Sequence, residues 1–317
     1  MKAFAACEAL QYTLRNHRAH RGKPKGYTRH AVPSTLPPAS HPQHHACHSR
    51  SPRSGTLQTG SLRHWPLGYL DNPPAPVVVF DALPKDEAHG WKFMKLSPDG
   101  NYLYFQIGTP ANIVVQPVTH ATIVRLNLKT NILETVAHGV RNSVGMDFHP
   151  VTKELWFTNN ARDWVNDDLP NDTLHRLTRK GMNFGYPFCH QGDLLDIDHG
   201  KGRSCDEFDK PALKIGPHVA ALGMRFYTGK QFPAEYKNNI FIAEHGSWNR
   251  TKKTGYDVVR VVLDAKGNVT KKEVFISGWA TGEDYFGRPA DVHVLKDGSM
   301  LVSDDVAGAI FRVTYAK

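Results

Sequence analysis

From Pro73 onward the chain alternates short apolar, β-branched and aromatic runs with polar turn clusters. Phe93–Gly108 (FMKLSPDGNYLYFQIG), Met146–Asn159 (MDFHPVTKELWFTN), Phe226–Glu244 (FYTGKQFPAEYKNNIFIAE) and Val292–Asp304 (VHVLKDGSMLVSD) each read as strand, turn and strand. A second hairpin follows two of them, Ile123–Val136 turning at Lys129–Asn131 and Val258–Phe275 turning at Ala265–Asn268. The last run, Ala309–Tyr315 (AIFRVTY), begins in the same way. Two hairpins make a four-stranded sheet, and such sheets recurring every ~40–50 residues indicate propeller blades. The roughly 247 residues of this body correspond to about five blades at that period. A sandwich or barrel is the alternative, and the spacing of the paired hairpins favours the propeller. A longer insertion, roughly residues 160–220, carries much of the Gly, Pro, Asp and His, and long loops on a rigid scaffold are where function concentrates.

Residues 1–68 have a different texture. They show no sustained periodicity, hold eight histidines and include a Pro/Ser-rich stretch. Such a composition does not bury enough apolar surface to fold alone, so a disordered segment is expected, with a globular domain over 69–317. Its Arg-rich, acid-poor opening loosely resembles a transit peptide and lacks the apolar core of a secretory signal. The cluster His44-His45-x-Cys47-His48 matches no standard zinc spacing and reads as solvated.

Net charge is +9, but residues 1–70 hold ten Lys/Arg and one acid, Glu8, leaving 29 basic and 29 acidic residues in the body. The folded part is therefore neutral, which argues against a nucleic-acid partner. No apolar run reaches the length of a membrane span. Cys189 and Cys205 flank a Gly/Asp-rich loop sixteen positions apart; a bridge there implies an oxidising compartment, and two free thiols the reverse.

Candidate chemistry sits at strand ends. His89, in AHGWKF, precedes the first clear strand; imidazole is the side chain best tuned to take a proton near neutrality, and a turn residue is the plainer reading. Arg141-Asn142 opens the next unit, and its planar donor fork suits a carboxylate or quinone oxygen. Asn159–Asp163 with Asn166–Asp168 offers carbonyls and acids to a hard cation, or is a solvated acidic loop. His218, His245, Arg250, Arg288 and Asp305 stand at other strand ends or blade junctions. No nucleophile elbow, dinucleotide fingerprint or P-loop occurs.

Taken together, HGWKF followed by SPDG, RNSVG at 141–145, NNARDWVNDDLP at 159–170, GMNFGYP at 181–187, GPHVAALGMRFY at 216–227, AEHGSWNR at 243–250, GRPADV and LVSDDVAGAIFRV resemble the soluble quinoprotein sugar dehydrogenases, most closely the sorbosone or aldose branch. The resemblance covers roughly 69–317. It implies an all-β, six-bladed β-propeller, here N-terminally truncated, with pyrroloquinoline quinone (PQQ) over its mouth and Ca²⁺ bridging cofactor and protein. It implies His89 as general base and Arg141 as stabiliser of a developing oxyanion. It implies Asn142, His218, His245, Arg250, Arg288 and Asp305 as cofactor or pocket contacts, and the carbonyls of Asn160 and Ala161 as cation ligands. Related propellers share the Cys-loop-Cys arrangement. The substrate implied is a small sugar, the electron acceptor external, the compartment periplasmic or secreted. The glucose-oxidising members have Gly-Pro at Asn160-Ala161, Thr at His218 and a second Arg at Ala290. A calcium-dependent lactonase or a non-catalytic propeller is the alternative function.

Overall fold

The computed structural model describes residues 61–64 and 75–315; the histidine cluster at 44–48 lies outside them. The described residues 62–64 and 75–78 fall in one compact unit and 79–315 in another. The first contributes to a two-stranded ribbon, Leu62–His64 with Val77–Phe80. The second contains four sheets of three to five strands, and no α-helix occurs among the described residues.

The first sheet runs Met94–Leu96, Tyr102–Ile107, Thr122–Asn127 and Leu133–His138, with Met182–Asn183 added in parallel outside the last strand. The second runs Met146–Phe148, Leu155–Asn159, Asn171–Leu177 and Leu213–Pro217. The third runs Ala221–Phe226, Ile240–Glu244, Asp257–Leu263 and Val269–Ile276, and the fourth Pro289–Val294, Met300–Asp304 and Ala309–Val313. Apart from Met182–Asn183, every pairing within them is antiparallel. The second strands YLYFQI and IFIAE are buried on both faces, so they read as apolar runs, whereas the outer strand VTKKEVFI is polar and half-exposed.

The first strands of successive sheets pack side by side in chain order, as in propeller blades. Between consecutive sheets lies an apolar layer. Ile123, Val136, Met146 and Phe157 fill the first gap, Trp156, Leu174, Met224 and Ile242 the second, and Phe241, Val258, Val292 and Met300 the third. Polar staples tie the first strands together. Lys95 pairs with Asp147 at 3.2 Å, the same carboxylate accepts the Phe226 N–H at 2.9 Å, and Arg225 reaches Asp291 at 3.4 Å. The strands approach so closely that a Cβ on Gly223 would lie 2.0 Å from the Asp291 carboxylate, so only glycine fits there.

Four sheets stand where the spacing predicts about five. Residues 160–220 are mostly loop, contributing the third and fourth strands of the second sheet, the parallel addition and a short ribbon (Cys189–His190 with Leu194–Leu195) rather than a sheet of their own. The hairpin expected over Phe226–Glu244 begins earlier, at Ala221, because 227–239 form a long connection around the 3₁₀ turn Ala234–Tyr236. Cys189 and Cys205 are disulfide-bonded, with Cα atoms 5.5 Å apart, so the bridged alternative holds.

Two stability outcomes follow. Replacing both bridge cysteines by serine lowers unfolding stability by about 3 kcal/mol, as expected for a loop of this length; unchanged denaturant midpoints would show the bridge to be energetically idle. Gly223→Ala costs about 1–3 kcal/mol through overpacking, and a variant as stable as the parent contradicts the close approach described above.

Candidate functional site

Each first strand starts, and each second strand ends, on the same rim. The registers Met94↔Phe105, Met146↔Phe157, Ala221↔Glu244 and Pro289↔Asp304 place those ends beside one another. Because first strands of neighbouring sheets are adjacent, loops leaving this rim converge. His89, Arg141, Asn142, Asn160, Ala161 and His218, all singled out in the sequence, line one open cavity of about 150 Å³ there, with Asp163, Asp172, Ala220, Trp248 and Asn249.

Arg141 is 4% exposed and forms the cavity's buried charge. Its Nε donates to the Asn112 carbonyl at 2.8 Å, Nη2 to Asn112 Oδ1 at 2.9 Å and to Asp163 at 3.1 Å, and Nη1 to the Asn160 carbonyl at 3.3 Å. A guanidinium has five N–H donors, and the fifth, on Nη1, has no partner among the described residues.

His89 is fixed beside it. Its Nδ1 lies 2.8 Å from the Thr109 carbonyl. A carbonyl only accepts, so Nδ1 carries the proton and Nε2 is left as a basic lone pair. Thr109 in turn donates its N–H to the Arg141 carbonyl at 3.0 Å, which ties the two residues together. Burial, then the positive charge of Arg141, lowers the imidazole pKa to about 4, so it is neutral at physiological pH. A Cβ on Gly108 would lie 2.5 Å from the His89 Cβ, so the close seat of His89 requires glycine at that position.

Two polar residues without a signal of their own hold this arrangement. Gln106, fully buried, donates to the carbonyls of His89 at 3.1 Å and Trp91 at 2.9 Å and to Asn142 Oδ1 at 3.2 Å, and accepts the Ser143 N–H at 3.2 Å. With its oxygen so engaged, Asn142 has its NH₂ for the cavity. Asp172 accepts the N–H of Ala161 at 2.8 Å and of Ala220 at 2.7 Å, and burial raises its pKa to about 6. Because Ala161 N–H points at Asp172, the carbonyl of the same trans peptide, that of Asn160, points the opposite way, toward Arg141. Both residues sit within strands, where an inward polar side chain among apolar neighbours is the available sequence clue.

His245, Asp305, Arg288 and Arg250 lie outside the cavity lining. His245 Nε2 pairs with Asp305 at 2.8 Å, outside the cavity lining. Arg288 donates to the carbonyls of His245 at 2.8 Å and Gly246 at 2.5 Å, and lies over the rings of Tyr256 and Tyr285. Arg250 is engaged by the Asp167 carbonyl at 2.9 Å and the Asp168 carboxylate at 2.9 Å. His218 lines the cavity, yet its Nε2 donates to the Asn166 carbonyl at 2.7 Å. The acidic loop is thus largely committed to protein partners, with Asp167 accepting the Thr251 N–H. No cluster of three His, Cys, Asp or Glu suited to a metal occurs among the described residues, although carbonyl and amide oxygens line the cavity.

Residues 76–312 match the glucose/sorbosone dehydrogenase family. An uncharacterized protein of Borreliella burgdorferi is 37% identical over 244 residues, which cover 75% of this chain and 64% of that protein. The chain therefore spans just under two thirds of that relative's length. The pyrroloquinoline quinone-dependent pyranose dehydrogenase of Coprinopsis cinerea is 27% identical over 159 residues, 40% of this chain and 21% of that one. Among solved structures, a Trichoderma reesei carbohydrate-active enzyme of family AA12 superposes with a TM-score of 0.71 at 21% identity, covering 81% of this chain and 78% of that one. The soluble aldose sugar dehydrogenase of Escherichia coli, in its apo form, gives 0.60 at 20% identity over 81% and 74%. These likenesses in structure establish the all-β fold, and the family match over most of the chain establishes that this chain belongs to the glucose/sorbosone dehydrogenases.

Proposed function

We propose that this chain is a PQQ-dependent dehydrogenase that oxidises a CH–OH group of a sugar, with His89 as the general base. The observation that carries the reading is the neutral imidazole, its Nδ1–H fixed on Thr109, lining the same cavity as a buried guanidinium. Membership of a sugar dehydrogenase family and a curated relative named for pyranose oxidation support it. We also take the four sheets as consecutive blades of a six-bladed ring, and the first 68 residues as a separate segment.

The residues present fit the cofactor. The fifth N–H of Arg141 and the amide of Asn142 suit an anionic quinone. The Asn160 carbonyl and the buried Asn249 Oδ1, which has no hydrogen-bond partner among the described residues, are hard oxygen donors suited to Ca²⁺. Ala161 completes that wall. When bound, PQQ with Ca²⁺ supplies the acceptor for the hydride from the sugar carbon, and an external acceptor later removes the electrons. His89 Nε2 takes the hydroxyl proton, leaving a carbonyl product. Arg141 stabilises negative charge developing on the oxygen. Gln106 and Asp172 position the base and the Asn160 peptide. Arg288, His245 and Asp305 brace the adjoining rim, and His218 and Arg250 hold the 166–168 loop.

The Cys189–Cys205 bridge supports a periplasmic or secreted site of action. No helix among the described residues is long and apolar enough to cross a membrane.

Purified protein supplied with PQQ and Ca²⁺ reduces dye in the presence of aldoses, and His89→Gln lowers kcat by about 10²–10⁴; reduction without added PQQ, or a fully active variant, contradicts the assignment. Followed by NMR in the absence of cofactor, the His89 imidazole titrates near pH 4. Because its folded pKa lies below the ordinary 6.5, the base stays unprotonated as pH falls until about 4, and Arg141→Gln moves the titration upward. An ordinary value near 6.5 in the parent protein contradicts the buried, charge-flanked setting.

A further inference from the structure

The long connection 178–212, between the third and fourth strands of the second sheet, is ordered around buried charge that the reaction does not use. Arg162 Nη1 donates to Asp196 at 2.6 Å and to Asp198 at 2.9 Å, and His190 Nε2 lies 2.7 Å from the same Asp196 oxygen. Arg162, His190 and Asp196 are all buried. The second Asp196 oxygen accepts the N–H groups of Asp198 and His199, each at 2.9 Å, which shapes the loop around the carboxylate. The Cys189–Cys205 bridge closes the stretch that carries these groups. Burying an ion pair costs desolvation, so its placement calls for an explanation. Arg162 supplies one: it lies between Ala161 and Asp163, both of which line the rim cavity.

The connection reaches the other loop at the cavity as well. It climbs beside the last strand of the first sheet through Met182–Asn183, and the Tyr186 N–H then meets the Gly139 carbonyl at 3.3 Å, two residues before Arg141. The Tyr186 hydroxyl donates to the Asn112 carbonyl at 3.3 Å, accepts the Val114 N–H at 3.2 Å and lies 3.0 Å from Thr109 Oγ1. A phenol has one proton, so with that proton on Asn112 the Thr109 hydroxyl is the donor in the third contact. Asn112 holds the Arg141 guanidinium, and the Thr109 carbonyl holds His89. Directly behind Arg141 a cavity of only about 10 Å³ has Arg141, Asn159 and Ala161 on one side and Tyr186, Cys189 and His190 on the other.

We propose that the 178–212 connection is a disulfide-closed buttress, and that its Tyr186 and Asp196 are positioning residues that hold Arg141 in place from behind and so set how well the cavity takes its cofactor. The part concerning the cofactor rests on the dehydrogenase reading. A guanidinium is fixed only as firmly as the oxygens that meet it. Those of Asn112 and Asp163 sit on 108–121 and 160–170, which contain no strand. Loops without strand pairing open at low cost unless something else ties them. Tyr186 ties the first through Asn112, Val114 and Thr109; Asp196 ties the second through Arg162.

The test uses the full-length protein with Asp196→Asn and Tyr186→Phe, each of which keeps the shape of the side chain. Without cofactor, NMR follows solvent exchange of the Arg141 Nε–H, with the backbone N–H of the buried core residue Phe157 as reference. Exchange at Arg141 is expected to rise about tenfold in each variant while Phe157 keeps its parent rate. Absorbance titration with PQQ in excess Ca²⁺ is expected to give a Kd raised about tenfold or more. Parent-like exchange at Arg141 in both variants, faster exchange there only in step with Phe157, or a PQQ Kd unchanged in both would each overturn the buttress. Exchange that rises as expected in a protein that binds no PQQ leaves the positioning of Arg141 standing and sinks the dehydrogenase reading. PQQ-dependent dye reduction with parent-like Arg141 exchange does the reverse.

Discussion

A guanidinium nearly sealed from water must have its N–H groups met by protein oxygens, and that requirement organises the rim of this molecule. Arg141 is the group in question. Asn112 supplies two oxygens, Asp163 a carboxylate and Asn160 a carbonyl, so two separate loops, 108–121 and 160–170, are drawn onto one side chain. Removing the guanidinium would take the donor from the Asn160 carbonyl and the cationic partner from Asp163, and removing Asp163 would leave the charge with one anion fewer, each a costly outcome in a low-dielectric setting. Burial, together with this same charge, keeps His89 neutral, and the backbone of Arg141 anchors Thr109, which fixes the His89 tautomer. Structure and chemistry here share one cause.

The topology explains why residues so far apart in sequence meet. Each sheet repeats a rim position at the start of its first strand and another at the end of its second. His89, Arg141–Asn142, His218–Ala220 and Arg288 occupy the former across four sheets; Asn160–Ala161, His245 and Asp305 occupy the latter. The first three sheets close around the cavity. At the fourth sheet the corresponding residues pair with one another and with the third sheet's loop, forming the His245–Asp305–Arg288 cluster next door. Equivalent positions thus line the cavity at one part of the rim and brace it at another.

Much of this was legible in the chain itself. The hairpins at 93–108, 146–159 and 292–304 follow from apolar runs broken by Asp-Gly or Pro turns, and the outer hairpins at 123–136 and 258–275 fall where the turn residues put them. The count of sheets was not legible, because the period was read through 160–220, where the long connection between the third and fourth strands of the second sheet is tied by the disulfide and the Arg162–Asp196–His190 network. Six of the ten expected site residues line one cavity. Gln106 and Asp172 are harder to find because a positioning residue is defined by its hydrogen-bond partners in space, and the polar side chain within an apolar strand is its one local mark. Arg288 and Arg250 are cofactor or pocket contacts by resemblance alone; in this structure backbone carbonyls and a loop carboxylate engage their guanidinium groups.

The central claim is that this cavity joins a neutral base and a buried cation to a bound quinone, and that a sugar C–H bond breaks there. Anaerobic stopped-flow mixing of the PQQ- and Ca²⁺-loaded protein with glucose carrying deuterium at C1 tests it most directly. The account predicts that bound quinone is reduced in a single turnover, more slowly with deuterated than with ordinary sugar, and at a rate that is insensitive to pH until the medium approaches pH 4. Quinone that binds but stays oxidised in the presence of sugar would contradict it.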